Sequence, residues 1–547
     1  MDRFNVTYRA KVSSPDRRAV LGGLAAALTT TALPGAAFAR STAFMQSVAE
    51  AAARDGAMAE FYKNTGYAAL WTGTGNRDKQ RRQALVQAID KASNHGLPED
   101  RYSPELITAN IRAVKDERDL GRLEVELSRV FLQYARDVQT GLVSPSRVDG
   151  DMVREVPLRS RSGLLNAYSK STPRAFMKAL PPKSDEYARL MKAKMQLERQ
   201  LGRGGWGQDV PAGRTLNPGD SGGSVVALRN KLIALGYLNR TATQTYDSKI
   251  QVAVQKFQMD HGLSADGVAG PGTLGEINAS AQQRLSQVMV AMERERWMNH
   301  PDGRGKSHIW VNLPDFHMRL YDNGRETFKT RAVVGDRKHD KRTPEFSDQM
   351  TYMEVNPDWT VPRSILGRDY LPKFKQNPYA ARYLQLIDAS GRVVSRDSVD
   401  FSQYTERNFP FTVRQAPGDR NALGRVKFMF PNPYAIYLHD TPQKHLFQRE
   451  TRAYSSGCVR LNDPFDFAYE LLGRQMGNPK DYFDAQLRTG RQTRIDLERP
   501  IPVHIVYRTA FTEAKGNVQF RRDFYGRDAK VWAAMRDAGV ALRALQG

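Results

Sequence analysis

"YLHDTPQKHLFQRETRAYSSGCVRLND", residues 437–463, holds the only cysteine of a 547-residue chain, Cys458, nineteen positions after His439. Just upstream, "AIYLHD" alternates with the period of a strand, which puts Tyr437 and His439 on one face and Ile436 and Leu438 on the other. Downstream, "NDPFDFAYELL" has helix-start chemistry: Asp463 as N-cap, Pro464 at the first helical position, and Phe465, Ala468, Tyr469 and Leu472 at core spacing. A strand, a glycine turn and a helix therefore bracket the thiol, and the positive helix end would favour the thiolate. Gly457 permits a tight turn and leaves backbone N–H groups open, so the amides of Gly457 and Cys458 are candidate oxyanion donors. A lone cysteine is more often a small buried hydrophobe than a reagent. Here the adjacent glycine, Arg460 and a strand-borne histidine shift the reading to a nucleophile and its base.

Around this stretch the pattern is that of strands. "HIWVNLPDFHMRLYDNGRETFKTRAVVGD" contains two β-rich runs joined at Asp322-Asn323-Gly324, a strong hairpin signal. Further strands are expected in "SDQMTYMEVNPDWTVP" and "GRVKFMFPN". Between Pro362 and about Ala422 lies a stretch too long for an ordinary loop, read as a mobile lid or an inserted subdomain.

Farther toward the amino terminus the period changes to that of helices. Residues 40 to about 200 are rich in Ala, Gln, Arg and Leu, with Gly96 and Gly141 where helices should stop. "GRGGWGQDVPAGRTLNPGDSGGS", residues 202–224, has the composition of a linker. Beyond it Val225, Leu228, Leu232 and Leu235, then Ile250, Val254 and Phe257, mark two amphipathic helices closed by Gly236 and Gly262. Another helix is expected in "GRDAKVWAAMRDAGVALRAL" near the carboxy terminus.

The first residues read as an address. Arg17-Arg18, a weakly apolar segment and Ala37-Phe38-Ala39 make residues 1–39 a candidate signal peptide cleaved after Ala39, of twin-arginine type, with a Sec signal or an uncleaved anchor as the alternatives. The net charge of +23 is spread along the chain and accompanies no nucleic-acid-binding signature, so an anionic envelope polymer suits it better than nucleic acid. No run of eighteen apolar residues would span a membrane. His95, His261, His300, His308, His317 and His339 are scattered, and no H-E-x-x-H or C-x-x-C occurs, so neither metal nor other cofactor is expected.

Chain order separates the thiol chemistries. A papain-like or NlpC/P60-type hydrolase places cysteine before histidine and would pair Cys458 with His504, and a wall-binding scaffold without activity is a third reading. "IYLHDTP", "KHLF" and "RAYSSGCVRL", together with "VNLPDFHMRLY", "AVVGD", "TPEFSD", "NPDWTVPRSI" and "FRRDFYGRD", resemble the L,D-transpeptidase family with a YkuD-type catalytic domain, in its large multidomain Gram-negative branch. "LNPGDSGGSVVALRNKLIALGYL" and "AVQKFQMDHGLSADGVAGPGTLGEIN" resemble the peptidoglycan-binding domain 1 family.

These resemblances imply a multidomain α+β chain: a helical scaffold domain at 40–205, a small three-helix-type peptidoglycan-binding module at 214–282, a mainly-β catalytic domain at 300–508 with an inserted lid at about 362–422, and an extension at 509–547. They imply Cys458 as nucleophile, His439 as general base oriented by the backbone carbonyl of Asp440, and an oxyanion hole at Gly457 and Cys458 assisted by Tyr437. Ser456 stands where many members carry a second histidine, and Arg460 where an asparagine is common; with Tyr437 and Trp359 these are the expected substrate-side residues, and His445 is structural. The implied reaction is 3→3 cross-linking of peptidoglycan stems in the periplasm, or L,D-carboxypeptidase cleavage if water is the acceptor. Carbapenem acylation of Cys458, glycan and stem peptides as partners, and cell-wall synthases as possible associates complete the expectation.

Overall fold

The computed structural model describes residues 35–513 and 517–545. The candidate signal peptide lies, but for its last five residues, outside them. Among the described residues no helix is long and apolar enough to cross a membrane, and no group of three or more His, Cys, Asp or Glu side chains could hold a metal ion.

The chain divides into two compact units, residues 1–79 with 107–129, and residues 80–106 with 130–547. The first is helical. Its centre is the buried carboxylate of Glu124, which accepts from the amides of Leu70, Trp71 and Thr72 and from the Thr72 and Tyr62 hydroxyls. These donors replace the water that burial removes from its oxygens.

The second unit contains further helices, among them α1 (Asp185–Gly202) and α2 (Ala281–Trp297). Between them sits a three-helix module, Gly223–Ala234, Ser248–Asp260 and Pro271–Ile277. Val225, Leu228, Leu232, Ile250, Val254 and Phe257 form its core as their spacing predicts, and Gly236 and Gly262 take the left-handed conformation that ends each helix.

The sheet domain begins with β1 (Ser307–Asn312), β2 (His317–Asp322) and β3 (Arg325–Gly335). The expected two β-runs are three strands, because Pro314 lacks an N–H for a ladder and Phe316 turns the chain at φ 52°. The Asn323-Gly324 hairpin stands as expected, both residues at positive φ, 49° and 77°. With β4 (Phe346–Val355), β9 (Val426–Met429), β10 (Leu438–His439), β12 (Val459–Leu461) and β13 (Thr493–Val506), the order β3-β12-β10-β9-β4-β13-β1-β2 returns to β3, so the sheet closes on itself; β11 (Ala453–Ser455) adds outside β3. Closure removes free edges and encloses Ile309, Leu320, Met353, Phe428, Val459 and Ile505, each worth about 1.5–3 kcal/mol of burial. Phe467 and Leu471 of α3 (Pro464–Leu472) join this core.

The inserted stretch is a folded body rather than a loose flap. It forms its own four-stranded sheet, ordered β5-β8-β6-β7, from β5 (Trp359–Thr360), β6 (Leu384–Ile387), β7 (Val393–Val394) and β8 (Thr412–Gln415). Leu366, Phe374, Phe401 and Phe409 pack inside it. The extension after residue 509 contributes a hairpin, β14 (Ala510–Thr512) with β15 (Val518–Phe520), before α4 (Arg527–Asp537), which ends sooner than the sequence pattern suggests because Gly539 turns out of it.

Candidate active site

Cys458 and His439 arrive from neighbouring parallel strands. Leu438 pairs with Val459 and His439 with Arg460, so Tyr437 stands across from Cys458, and Tyr437, His439, Cys458 and Arg460 share one face. All four line a cavity of about 620 Å³. The other wall is the insert, through Trp359, Ile365, Arg368, Tyr370 and Tyr383. Ile436, expected to turn away, also lines the cavity: Ala435 at φ 53° breaks the alternation before β10 begins.

The imidazole is fixed from behind. His439 Nδ1 lies 2.5 Å from the backbone oxygen of Asp440, which assigns the proton to Nδ1, and the Leu423 carbonyl is a second backbone group that acts on the ring. The Asp440 carboxylate is occupied elsewhere, accepting from the Arg425 amide at 2.9 Å and from Lys444 Nζ at 2.7 Å. Gly424 leaves room for it, since a Cβ there would meet Asp440 Oδ2 at 2.3 Å. Asp440 therefore acts through its carbonyl.

The thiol lies 3.5 Å from the Ala435 carbonyl oxygen, and Tyr437 and Trp359 line the same cavity. Burial pushes the Cys458 thiol up to about 11, against Tyr437 and the charges of Arg460 and Lys427. Burial, then the Arg460 charge, takes His439 down to about 3. Both groups therefore rest neutral. This overturns the thiolate expected from the helix end: β12 intervenes and places the start of α3 about 10 Å of strand farther on. Asp463 does occupy the N-cap position, yet its carboxylate accepts from Thr330 Oγ1 at 2.7 Å and not from the helix.

The glycine turn is also built differently from the expectation of two open amides. Gly457, at φ 124°, gives its N–H to Ser455 Oγ at 3.1 Å, so that amide is taken. The Cys458 N–H has no partner among the described residues. Ser455 Oγ in turn donates to the Cys458 carbonyl at 2.5 Å, closing the loop around the cysteine.

Arg460 reaches Gln443 Oε1 at 2.6 Å through Nη1, while its buried Nε has no partner among the described residues. Ser456 accepts from Arg368 Nη2 at 3.2 Å, and the same guanidinium pairs with Asp340 at 2.7 Å, tying the insert to the loop beside the cysteine. Sequence reasoning missed Arg368 because nothing local distinguishes it from the other arginines of the insert. Trp359 lines the cavity from within the core of the insert. His445 lies in a short 3₁₀ turn outside the cavity lining. His504 is elsewhere, its two ring nitrogens engaged by Ser347 Oγ at 2.8 Å and the Arg304 carbonyl at 2.9 Å.

Residues 306–485 match the YkuD family, described as the L,D-transpeptidase catalytic domain; residues 56–193 match a "Scaffold domain", and residues 221–277 a "Putative peptidoglycan binding domain". A curated "Putative L,D-transpeptidase" of Haemophilus influenzae is 35% identical over 257 residues, covering 47% of this chain and 51% of that protein. The chain thus spans about half the length of the curated relative it matches. Among solved structures, an L,D-transpeptidase (residues 123–326) from Xylanimonas cellulosilytica shares 14% identity over 54% of this chain and 99% of its own, with a TM-score of 0.16. An L,D-transpeptidase (Yku) from Stackebrandtia nassauensis shares 14% over 55% and 97%, with a TM-score of 0.21.

Proposed function

We propose, for a chain that carries a YkuD-type L,D-transpeptidase domain beside a scaffold and a peptidoglycan-binding domain, that it is a peptidoglycan L,D-transpeptidase of the cell envelope, working through Cys458. The observation that supports this most is the shared face on which Tyr437, His439 and Cys458 meet at one cavity.

The donor is a tetrapeptide stem, cut after the L-centre of its third residue. His439 takes the thiol proton as Sγ bonds to the carbonyl carbon, and the carbonyl electron pair moves to oxygen. With the thiol near 11 and the imidazole near 3, that transfer is uphill until the carbon–sulfur bond forms, so the two are coupled rather than sequential. The oxyanion accepts from the Cys458 N–H and the Tyr437 hydroxyl. Collapse expels terminal D-Ala, whose nitrogen receives the proton from His439. An amine of a second stem then attacks the thioester, gives its proton through His439 to the departing sulfur, and leaves a 3→3 cross-link.

Arg460, whose Nε has no partner among the described residues, meets a substrate carboxylate, and Ser456 and Trp359 line the approach. The insert closes the cavity over the acyl-enzyme and limits water. The domain limits are 40–205 for the scaffold, 214–282 for the module that meets glycan, and 300–508 for the catalytic domain, and the mature protein resides in the periplasm.

Purified muropeptides incubated with the wild type, Cys458→Ala and His504→Ala, and resolved by mass spectrometry, test this. Dimers from the wild type and from His504→Ala, with none from Cys458→Ala, are expected. Trimmed monomers alone would mean an L,D-carboxypeptidase or other thiol hydrolase, and an inert wild type would mean a binding scaffold.

A further inference from the structure

Gly457 C=O and Cys458 N–H belong to one peptide unit, and in a planar trans peptide they point in opposite directions. Whatever holds the carbonyl therefore aims the amide. The holder is Thr343, fully buried, whose hydroxyl donates to the Gly457 oxygen at 2.7 Å and accepts from the Gly335 amide at 2.9 Å. Gly457 is at φ 124°, a backbone conformation with little intrinsic preference for one orientation of its peptide in glycine, so an external hold decides it.

Thr343 is itself held through its backbone by the carboxy-terminal extension. Its N–H donates to the Tyr525 hydroxyl at 3.2 Å, and its carbonyl accepts from Arg527 Nη2 at 2.9 Å. The Tyr525 hydroxyl in turn donates to the Gly335 carbonyl at 2.5 Å. Gly335 admits this close passage because it lacks a side chain; a Cβ would meet the Lys341 oxygen at 2.1 Å and the Thr343 nitrogen at 2.6 Å.

We propose that Thr343 is a positioning residue that orients the Gly457–Cys458 peptide so that the Cys458 N–H stands ready for the oxyanion, and that Tyr525 holds Thr343 in place. The inference rests on the acyl-transfer reading above. Without the threonine hydroxyl the Gly457 carbonyl loses its buried donor, and the peptide is free to rotate its N–H away from the developing charge.

The test compares two reactions of the same sulfur in the full-length protein. Acylation by a tetrapeptide stem develops an oxyanion; alkylation by iodoacetamide does not. Thr343→Val is expected to slow single-turnover acylation by about 10²-fold, the scale of one lost oxyanion donor, with KM and the alkylation rate within about twofold of wild type. Thr343→Ser should restore acylation to within a few-fold. Tyr525→Phe, which spares the hydroxyl of Thr343, should cost about tenfold in acylation alone, and it carries the test if Thr343→Val does not fold. Wild-type acylation by Thr343→Val, or equal losses in both reactions, would overturn the assignment. A wild type that alkylates normally but forms no acyl-enzyme overturns the acyl-transfer reading instead, and this role with it.

Discussion

Two regions of the second unit bury ionisable groups and reach opposite results. In α2, Glu293, Arg294, Glu295 and Arg296 are almost fully buried, yet each has a partner of opposite charge. Arg294 pairs with Glu345 at 2.7 Å and Asp528 at 2.9 Å, Arg296 with Glu293 at 2.7 Å, and Arg508 with Glu295 at 3.0 Å. Burial works against both α2 guanidiniums, but Glu345 and Asp528 at Arg294, and Tyr187 and Glu293 at Arg296, outweigh it and hold them above the usual arginine range. In the cavity the same desolvation acts on Cys458 and His439: at the thiol the charges of Arg460 and Lys427 oppose it without overcoming it, and at the imidazole they add to it. They stay neutral. Paired burial fixes an architecture, whereas unpaired burial leaves a proton that can be moved when a substrate supplies the bond to move it against.

The largest effect that would sharpen this contrast is at the cavity. His439→Gln removes the proton acceptor and should slow acylation of Cys458 by roughly 10²–10⁴-fold in rapid-mixing mass spectrometry; an unchanged rate would mean that another group is the base. In α2, Arg294→Met leaves Glu345 and Asp528 without their shared cation. It should destabilise the unit by about 3–5 kcal/mol in denaturant melts, and a variant as stable as wild type would erase the distinction between the two regions. The smallest effect concerns pH. Because burial raises the Cys458 pKa, thiolate is scarce below it, so iodoacetamide alkylation of the free enzyme should keep rising with pH toward about 11, while the urea-unfolded chain levels off near 9. At pH 8 that is about a hundredfold less thiolate than an exposed cysteine offers. A plateau already reached at pH 7 would show a resting thiolate and a true ion pair.

The parts legible in the sequence are those with a local period or a local steric demand. The Asn323-Gly324 turn, the helices of the small module and the strand carrying His439 follow from residue type and spacing alone. The proline that splits β1 from β2 was equally visible in "VNLPDF", but its effect depended on Phe316 taking a left-handed turn. The insert showed its length and not its sheet, because β5 and β8 pair across more than fifty residues.

The sequence by itself determined that a lone thiol follows a strand histidine across a glycine turn, since those are facts of residue order and alternation. Only the tertiary structure decided which amide of that turn stays open and that the thiol rests protonated. Each of these depends on groups from distant segments, Thr343, Tyr525 and the wall of the insert among them, brought within hydrogen-bond distance or stripping away water once the sheet has closed.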